Sequence, residues 1–320
     1  MASEASAITA VASPRRRRSR RWLRKHRFEL ILVTPLVVYV LLLTVAPIID
    51  TFRRSFSAPD VGFGTLKTFR ALFHGFSWTH WTVFERAIFN TITVSLFSLT
   101  LELAIGLGIA LALHAKFFGR GVVRTILLVP IGVPTIVSGA VMLLIFQRSG
   151  YLNSVMALFA GLIDRIPGIN WHWQNVSLQV AGGWRTLFTV AVADMWKVLP
   201  IVVLIFIAGL ESIPQDVYEA ADVDGATKWQ RFSRVTLPLL IPYFTMALIL
   251  RAIDAFRIYE LALVLAGGVE PVMGTYIGKE YLPPVNDLYT SSAASVVLFG
   301  IIMVFIVLYL RFVARTQVQR

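Results

Sequence analysis

The sequence predicts an all-α, polytopic membrane protein with six transmembrane helices, and two observations carry that prediction. Of its 320 residues, 57% are hydrophobic and the mean hydropathy is +0.71, whereas ordinary soluble domains are about 45–50% apolar. Six stretches are also long enough to cross a bilayer, which takes about 20 apolar residues. They lie at approximately 29–50, 88–113, 123–147, 187–210, 239–265 and 291–313.

The distribution of positive charge predicts the topology. The net charge is +12, and nine of the basic residues fall between Arg15 and Arg27, directly before the first span. Lys and Arg near span ends mark the cytoplasmic side, and such a block also suits anionic headgroups. This placement favours a membrane role for the run over nucleic-acid binding. We therefore predict that both termini are cytoplasmic.

This topology divides the chain into a basic tail, 1–28, a transmembrane domain, 29–313, and a second tail, 314–320. The predicted extracytoplasmic loops are 51–87, 148–186 and 266–290, and the first contains five basic residues, which weakens the charge bias there. Loop aromatics are expected at the membrane interface. They are Phe63, Phe69, Phe73, Phe76, Trp78 and Trp81 in the first loop, and Trp171, Trp173 and Trp184 in the second.

The first three spans carry features that predict bends or close packing. Prolines 35 and 47 are expected to kink the first span or to mark its end. Gly106 and Ala110 in the second span have the small-xxx-small spacing that lets helices approach closely. Glu102 in the same span needs either a basic partner on a neighbouring span or a water-filled cavity. The third span is expected to break at Pro130, Gly132 and Pro134, as a packing kink or beside a pathway.

The fourth and fifth spans carry ions near their midpoints, whereas the sixth has no charge before Arg311. Ions at mid-membrane depth are functional candidates by default. Asp194 with Lys197, and Arg251 with Asp254, are each three residues apart on a helix. The residues therefore allow two interpretations: pairs that neutralise each other within one helix, or groups that line a polar path.

The segment 212–238 is the long polar stretch between the fourth and fifth spans, and its local signals predict helix, turn, helix. Ser212 with Gln215 and Thr227 with Gln230 each have capping-box spacing. Gly225 is expected to close the first helix in the left-handed conformation. The second helix is expected to end near Leu237, because Pro238 disfavours the α conformation of the residue before it.

The sequence lacks the residues or motifs that several kinds of catalytic and metal sites require. Cysteine is absent, which excludes disulfides and thiolate metal sites, and the five histidines lack metal-ligand spacing. No P-loop, GxSxG or HExxH motif occurs. We therefore expect no catalytic residue, metal or cofactor on this chain. Active transport would take its energy from a partner or from an ion gradient.

One motif in the polar segment resembles a known family. Residues Glu219-Ala220-Ala221, Gly225 and Val235-Thr236-Leu237-Pro238 follow the EAA-x3-G-x9-I-x-LP loop of ABC importer permeases, with Val235 at the usual Ile position. The flanks MWKVLP and RAIDAF are similar to the carbohydrate-uptake branch, which includes maltose, trehalose and glycerol-phosphate permeases. The resemblance implies the type I ABC importer fold over residues 29–313, in the inner membrane of a bacterial cell.

The family resemblance also implies how such a chain works and with what. The loop would be a coupling helix docked on a cytoplasmic ATPase, through Glu219, Ala220, Ala221, Asp224, Gly225, Leu237 and Pro238. Ala220 and Ala221 would give a small face that seats deeply. Implied partners are a homologous permease chain, two ATP-binding subunits that hold ATP and Mg²⁺, and an extracytoplasmic binding protein. Nucleic acid is not an expected partner.

The same resemblance places sugar contacts on the helices that flank the loop. In this sequence those positions are Asp194, Lys197, Arg251, Asp254 and, more weakly, Tyr259. They are charged here, whereas maltose permeases favour amides and hydroxyls, so phosphorylated or amino-bearing sugars stay open beside disaccharides such as trehalose or maltose. A polyamine or phosphate-ester importer, an ion-coupled carrier and a membrane-tethered DNA-binding regulator also stay open as functions.

Overall fold

The computed structural model describes residues 26–74, 81–115, 117–165, 174–176 and 182–318. Strand structure in these ranges is limited to β1 (Ser57–Ala58) and β2 (Gly62–Phe63), which pair antiparallel. The rest is helical or turn, so the all-α prediction is confirmed. The chain forms two compact units that meet in sequence at Arg53 and Arg54, and each is described by itself.

In the part of the chain that the structure describes, six helices are long and apolar enough to cross a membrane, which confirms the predicted number. Their bounds differ from the predicted ones mainly in the third and fifth spans. The six are Arg27–Ser55, Val83–His114, Thr135–Ile163, Gly183–Glu211, Lys228–Phe256 and Leu288–Arg315.

The first span consists of α1 (Arg27–Val40), a π turn (Leu41–Val45) and α2 (Ala46–Ser55). Pro47 therefore lies near the start of α2 and does not end the span. The π turn explains this, because Ala46 N–H bonds to Leu41 O, five residues back. A wider turn relieves the clash between a proline ring and the preceding turn.

The predicted first loop contains β1, β2 and α3 (Lys67–Leu72). Thr68 Oγ1 donates to Ser57 O at 3.0 Å, which ties α3 to the strand pair. Phe63 and Phe73 are exposed, as expected for an interface, and Trp81 is 39% exposed. Phe76 and Trp78 lie outside the described residues, as do Trp171 and Trp173 of the second loop.

The central packing joins α4 (Val83–His114) to α9 (Gly183–Glu211). A Cβ on Gly106 would lie 2.8 Å from Val202 Cγ1, and Ala110 is fully buried. The predicted small-xxx-small contact is therefore confirmed. Leu113, Phe206 and Leu240 continue this apolar cluster toward α12 (Leu237–Phe256).

The predicted third span, 123–147, breaks where the sequence predicts. It corresponds to three helices, α5 (Arg120–Leu127), α6 (Val129–Gly132) and α7 (Thr135–Phe146), of which only α7 belongs to the span Thr135–Ile163. Val133 is extended, with ψ 128°, just before Pro134. The predicted loop 148–186 is not plain coil, because it holds α8 (Tyr151–Ile163), which begins after Gly150.

The fifth span differs from its prediction at both ends. Helix α10 (Gln215–Val223) precedes it, and the span then passes from α11 (Lys228–Arg231) through a π turn (Phe232–Thr236) into α12. The predicted stop near Leu237 is wrong, since Leu237 N–H bonds to Phe232 O and the wider turn accommodates Pro238.

At its other end α12 stops at Phe256, so the predicted continuous span 239–265 is also wrong. Arg257 to Tyr259 leave the helical conformation, and α13 (Glu260–Ala266) follows. Two glycines of α14 (Met273–Tyr281) allow this bend: a Cβ on Gly274 would lie 2.2 Å from Ile258 O, and one on Gly278 2.7 Å from the Tyr259 ring. The last helix, α15 (Leu288–Val318), follows the predicted loop 266–290.

Candidate functional site

The polar segment between α9 and α12 begins differently from its prediction. Ser212 keeps a helical conformation and ends α9, with its Oγ donating to Gly209 O at 2.7 Å and accepting from Tyr243 Oη at 2.8 Å. Helix α10 starts at Gln215 without a side-chain cap. The predicted Ser212 capping box is therefore wrong, because its hydroxyl is already used by the preceding helix.

The turn at Gly225 forms as predicted. Gly225 has φ +72°, its N–H bonds to Asp222 O at 3.1 Å, and Ala226 N–H bonds to Ala221 O at 3.0 Å. These two bonds are the Schellman pattern that closes a helix on a left-handed residue. The predicted capping box of α11 is also present, with Thr227 N–H to Gln230 Oε1 at 2.8 Å and Gln230 N–H to Thr227 Oγ1 at 3.3 Å.

A side-chain clamp, formed by Asp222, Arg231 and Tyr218, fixes α10 against α11. Arg231 Nη1 lies 2.9 and 3.0 Å from the two Asp222 carboxylate oxygens. The Arg231 guanidinium also stacks 5.5 Å from the centre of the Tyr218 ring. A guanidinium that is hydrogen-bonded to a carboxylate and also stacked on a ring has little freedom to reorient. The two short helices are therefore held at one angle by more than the Gly225 turn.

The predicted coupling residues differ in exposure. Glu219, Ala220, Asp224 and Gly225 are exposed, and Gln215 Nε2 donates to Glu219 Oε1 at 2.8 Å. Ala221 is 9% exposed and packs inward, so the expected face of two small alanines reduces to Ala220. Leu237 and Pro238 are half-buried at the start of α12. A groove of about 390 Å³, lined in part by Tyr218, Glu219 and Arg231, runs beside α10.

At mid-span, helices α4, α9 and α12 bring three charged side chains together. Arg251 Nε donates to Glu102 Oε2 at 2.9 Å, and its Nη2 donates to Glu102 Oε1 at 3.0 Å and to Asp194 Oδ2 at 3.1 Å. Arg251 is 1% exposed, Glu102 0% and Asp194 8%. This cluster, with Ser98, is here called the ion network. Buried charges at this depth require such pairing.

The ion network shows which partner Glu102 has. It is a basic residue on a neighbouring span, which confirms that interpretation of Glu102. Within α12, Arg251 and Asp254 do form an ion pair, at 3.4 Å between Nη1 and Oδ2, but Arg251 lies closer to Glu102 and Asp194. Asp194 and Lys197 form no ion pair with each other, because Asp194 faces Arg251. From the sequence, Glu102 was not expected among the site residues, and Ser98 had no predicted role. Their i, i+4 spacing on one helix was a usable signal that the two side chains meet.

Lys197 has a separate role beside the break in the third span. Its Nζ donates to Val133 O at 2.5 Å. Val133 follows α6, so the ammonium sits where a helix exposes carbonyl groups and negative potential. The interrupted third span is thus tied to α9 through Lys197.

A cavity of about 320 Å³ opens beside the ion network. All five predicted path residues line it, together with Arg257 and Glu260 from the bend after α12. The Asp254 side chain is 50% exposed and that of Arg257 71% exposed, and the two lie 3.5 Å apart. The predicted path residues therefore surround one space, with Arg251 at its buried side and Asp254 at its open side.

Comparison with known proteins agrees with this geometry. Residues 104–320 match the family described as binding-protein-dependent transport system inner membrane component. The trehalose/maltose transport system permease protein MalF of Thermococcus litoralis is 34% identical over 291 residues, which are 90% of this chain and 94% of MalF. The trehalose transport system permease protein SugA of Mycobacterium tuberculosis is 30% identical over 296 residues, 90% of this chain and 89% of SugA.

The fold is also found in solved structures. A chain in the crystal structure of a bacterial ABC transporter involved in import of the acidic polysaccharide alginate superposes with a TM-score of 0.76. The match covers 93% of this chain and 99% of the other, at 23% identity. At that identity the likeness is one of fold, and it agrees with the type I importer architecture.

Proposed function

Because the chain belongs to the family of binding-protein-dependent transport system inner membrane components, we propose that it is the permease subunit of an ATP-driven sugar importer. One observation carries the proposal. The exposed segment α10–α11 connects α9 directly to α12, and those two helices carry Asp194, Lys197, Arg251 and Asp254 around one cavity. The segment proposed to receive force from the ATPase is therefore joined directly to the two helices that line the proposed sugar path.

Coupling follows from how α10 is attached. A partner ATPase would contact the exposed residues Glu219, Ala220 and Asp224. The clamp between Asp222 and Arg231 and the turn at Gly225 make α10 and α11 move together. Because α11 continues through a π turn into α12, movement of α10 would be passed to the helix that bears Arg251. Such a rigid-body movement would open or close the cavity.

The cavity chemistry suits a sugar. Carboxylates and guanidinium groups offer acceptors and donors to hydroxyl groups, and Tyr259 adds a ring next to Asp254 and Arg257. The relatives from T. litoralis and M. tuberculosis are described as trehalose/maltose and trehalose permeases. We assign the substrate to this class, as a disaccharide or a related derivative. Importers of a polyamine or phosphate ester are the nearest competing functions.

The ion-coupled carrier has less support in the described geometry. A coupled carrier must release its ion to each side of the membrane in turn, but Glu102 is fully buried and Arg251 holds both Glu102 and Asp194 in place. The DNA-binding regulator is disfavoured because α10 presents Asp216, Glu219 and Asp222, which would repel phosphates.

The complete transporter would contain further chains. We propose a homologous permease that supplies the other half of the path, two ATP-binding subunits that hold ATP and Mg²⁺, and an extracytoplasmic binding protein. A chain in the crystal structure of an alginate ABC transporter with a pentasaccharide-bound periplasmic protein superposes with a TM-score of 0.73 at 22% identity, over 90% of this chain and 94% of the other. With both termini cytoplasmic, α10 faces the ATPase.

Reconstituted uptake tests the proposal. Glu219→Lys should abolish uptake and ATPase stimulation by the loaded binding protein while the chain still inserts in the membrane. Asp216→Lys, which reverses a charge on the same helix outside the motif, is the matched control and should keep most activity. Normal uptake by Glu219→Lys would refute coupling through α10, and uptake without ATP by this chain alone would favour the ion-coupled carrier.

A further inference from the structure

The ion network also indicates a bound proton, and with it the charge of the transported sugar. We propose that Glu102 and Asp194 share one proton, which leaves the charges around the cavity balanced and suits an uncharged sugar. The statement about the sugar rests on the proposed function, whereas the statement about the proton does not.

The hydrogen atoms around Ser98 are too few for two ionised carboxylates. Ser98 Oγ lies 2.8 Å from Glu102 Oε1 and 2.7 Å from Asp194 Oδ2. Both separations are typical of O–H···O hydrogen bonds, but a serine hydroxyl has a single hydrogen to donate. If both carboxyl groups were ionised, one contact would bring two oxygens together with no hydrogen between them. Ser98 and Glu102 are each 0% exposed, so solvent does not relieve that repulsion.

A proton on either carboxyl group resolves the conflict. The protonated group donates to Ser98 Oγ, and Ser98 donates its own hydrogen to the other, ionised group. Arg251 can still donate to Glu102 and Asp194 at the observed 2.9–3.1 Å, because a carboxylic acid retains acceptor capacity. The two carboxyl groups meet the same hydroxyl and the same guanidinium nitrogen, and like charges held near each other disfavour joint ionisation.

The charges around the cavity point to the same proton, independently of Ser98. The ionisable groups that face the network and its cavity come from α4, α9, α12 and the bend that leads into α13. The basic ones are Lys197, Arg251 and Arg257, and the acidic ones are Glu102, Asp194, Asp254 and Glu260. Fully ionised, they carry one surplus negative charge. With one proton bound, three positive groups face three negative groups.

The surplus would fall on the most buried part of the site. Arg251 with two ionised partners, Glu102 and Asp194, has a net charge of −1, and none of the three residues is more than 8% exposed. An uncompensated charge there is expensive. With the proton in place the ion network is neutral, and the charged groups left at the open side, Asp254 and Arg257, pair with each other at 3.5 Å.

This balance has a consequence for the substrate. A neutral oligosaccharide enters without changing the net charge of this chain's half of the path and is bound through its hydroxyl groups. A sugar acid or an amino sugar brings a charge that this half does not compensate. In the folded chain, the charged residues that left phosphorylated and amino-bearing sugars open in the sequence therefore favour neutral sugars on this chain's side of the path.

Infrared spectroscopy of the full-length chain in lipid nanodiscs tests the proton directly. At neutral pH we expect the C=O stretch of a protonated carboxyl group, lost in both variants Glu102→Gln and Asp194→Asn, because an amide at either position supplies the missing hydrogen and lets the other group ionise. Asp254→Asn is the matched control and should retain it. Absence of the band from the unaltered chain, or its persistence in either amide variant, would overturn the proposal.

Ser98→Ala covers the case in which the amide variants fail to insert. Removing the hydroxyl deletes the hydrogen bond that the protonated group makes, so the band should shift while the chain stays folded. A band at an unchanged frequency in Ser98→Ala would mean that the protonated carboxyl group lies elsewhere, against the proposal.

Competition for uptake tests the neutral-sugar part in the reconstituted transporter, with trehalose, a galacturonate disaccharide and a glucosamine disaccharide as probes. We expect trehalose to compete and the two charged disaccharides to compete at least tenfold more weakly. Preferred uptake of a charged disaccharide would overturn that part. If the carboxyl band is present but no sugar is transported, the proposed function fails and the proton assignment stands.

Discussion

Arg251 donates to both carboxylate oxygens of Glu102, at 2.9 and 3.0 Å, across 149 positions of sequence. This bidentate pair joins α4 to α12 at their buried faces. The pair holds α12, which follows the proposed coupling segment, against α4. Any movement of α12 would therefore have to preserve this pair or break it.

Removing one partner of this pair should be far more harmful than removing both. Arg251→Met leaves two acidic groups buried without a cation, a change of the kind that costs about 3–5 kcal/mol. In Arg251→Met/Glu102→Leu one of those groups is gone, and we expect part of the loss to be recovered. Thermal unfolding in detergent measures this. A double variant no more stable than Arg251→Met would contradict the structural importance of the pair.

The clamp between Asp222 and Arg231 should matter more for coupling than for stability. An exposed ion pair contributes only about 0.2–1 kcal/mol, but here it sets the angle between α10 and α11. Arg231→Asp and Asp222→Arg should each lower uptake per ATP hydrolysed several-fold, and the exchanged double variant should restore much of it. Arg234→Asp, an exposed charge reversal on the same segment, is the control. Failure of the exchange to restore uptake would argue against the clamp.

Gly225 should be required for its backbone conformation and not for space. Its φ is +72°, and no atom lies within 4 Å of a Cβ placed there. Gly225→Ala should therefore cost about 1–2 kcal/mol from the left-handed conformation, and Gly225→Asn less, because asparagine tolerates it better. Gly300→Ala, in open space on α15 without positive φ, is the control and should be neutral or stabilising. Equal stability of the unaltered chain and Gly225→Ala would exclude strain.

Two glycines on one helix offer a matched test of the α4–α9 contact. A Cβ on Gly106 would lie 2.8 Å from Val202 Cγ1, whereas a Cβ on Gly108 would meet nothing within 4 Å. Gly106→Ala should cost about 1–3 kcal/mol by overpacking, and Gly108→Ala should be neutral or stabilising. Unfolding temperatures of the two variants in the same detergent measure the difference. The contact would be unimportant if both changes behaved alike.

Much of the fold could be predicted because its signals are local. Hydrophobic length gives the six spans, Pro134 gives the break in the third, and Gly225 with the Thr227 capping box gives the turn and the start of α11. The rule that a proline ends a helix failed where the turn before the proline is wider than an α-helical turn. Pro47 and Pro238 each follow a π turn, so neither ends its helix.

What the sequence alone determined is therefore the membrane class, the number of spans, the broken third helix and the motif of the coupling segment. Only the tertiary structure decided which charges meet. Glu102, Asp194 and Arg251 lie on three different helices, and pairing depends on helix rotation and depth, which no local pattern specifies. The same packing turned Ala221 inward and joined Lys197 to Val133. The packing of the helices brings around one cavity the charged residues that the sequence showed only as unusual within apolar spans.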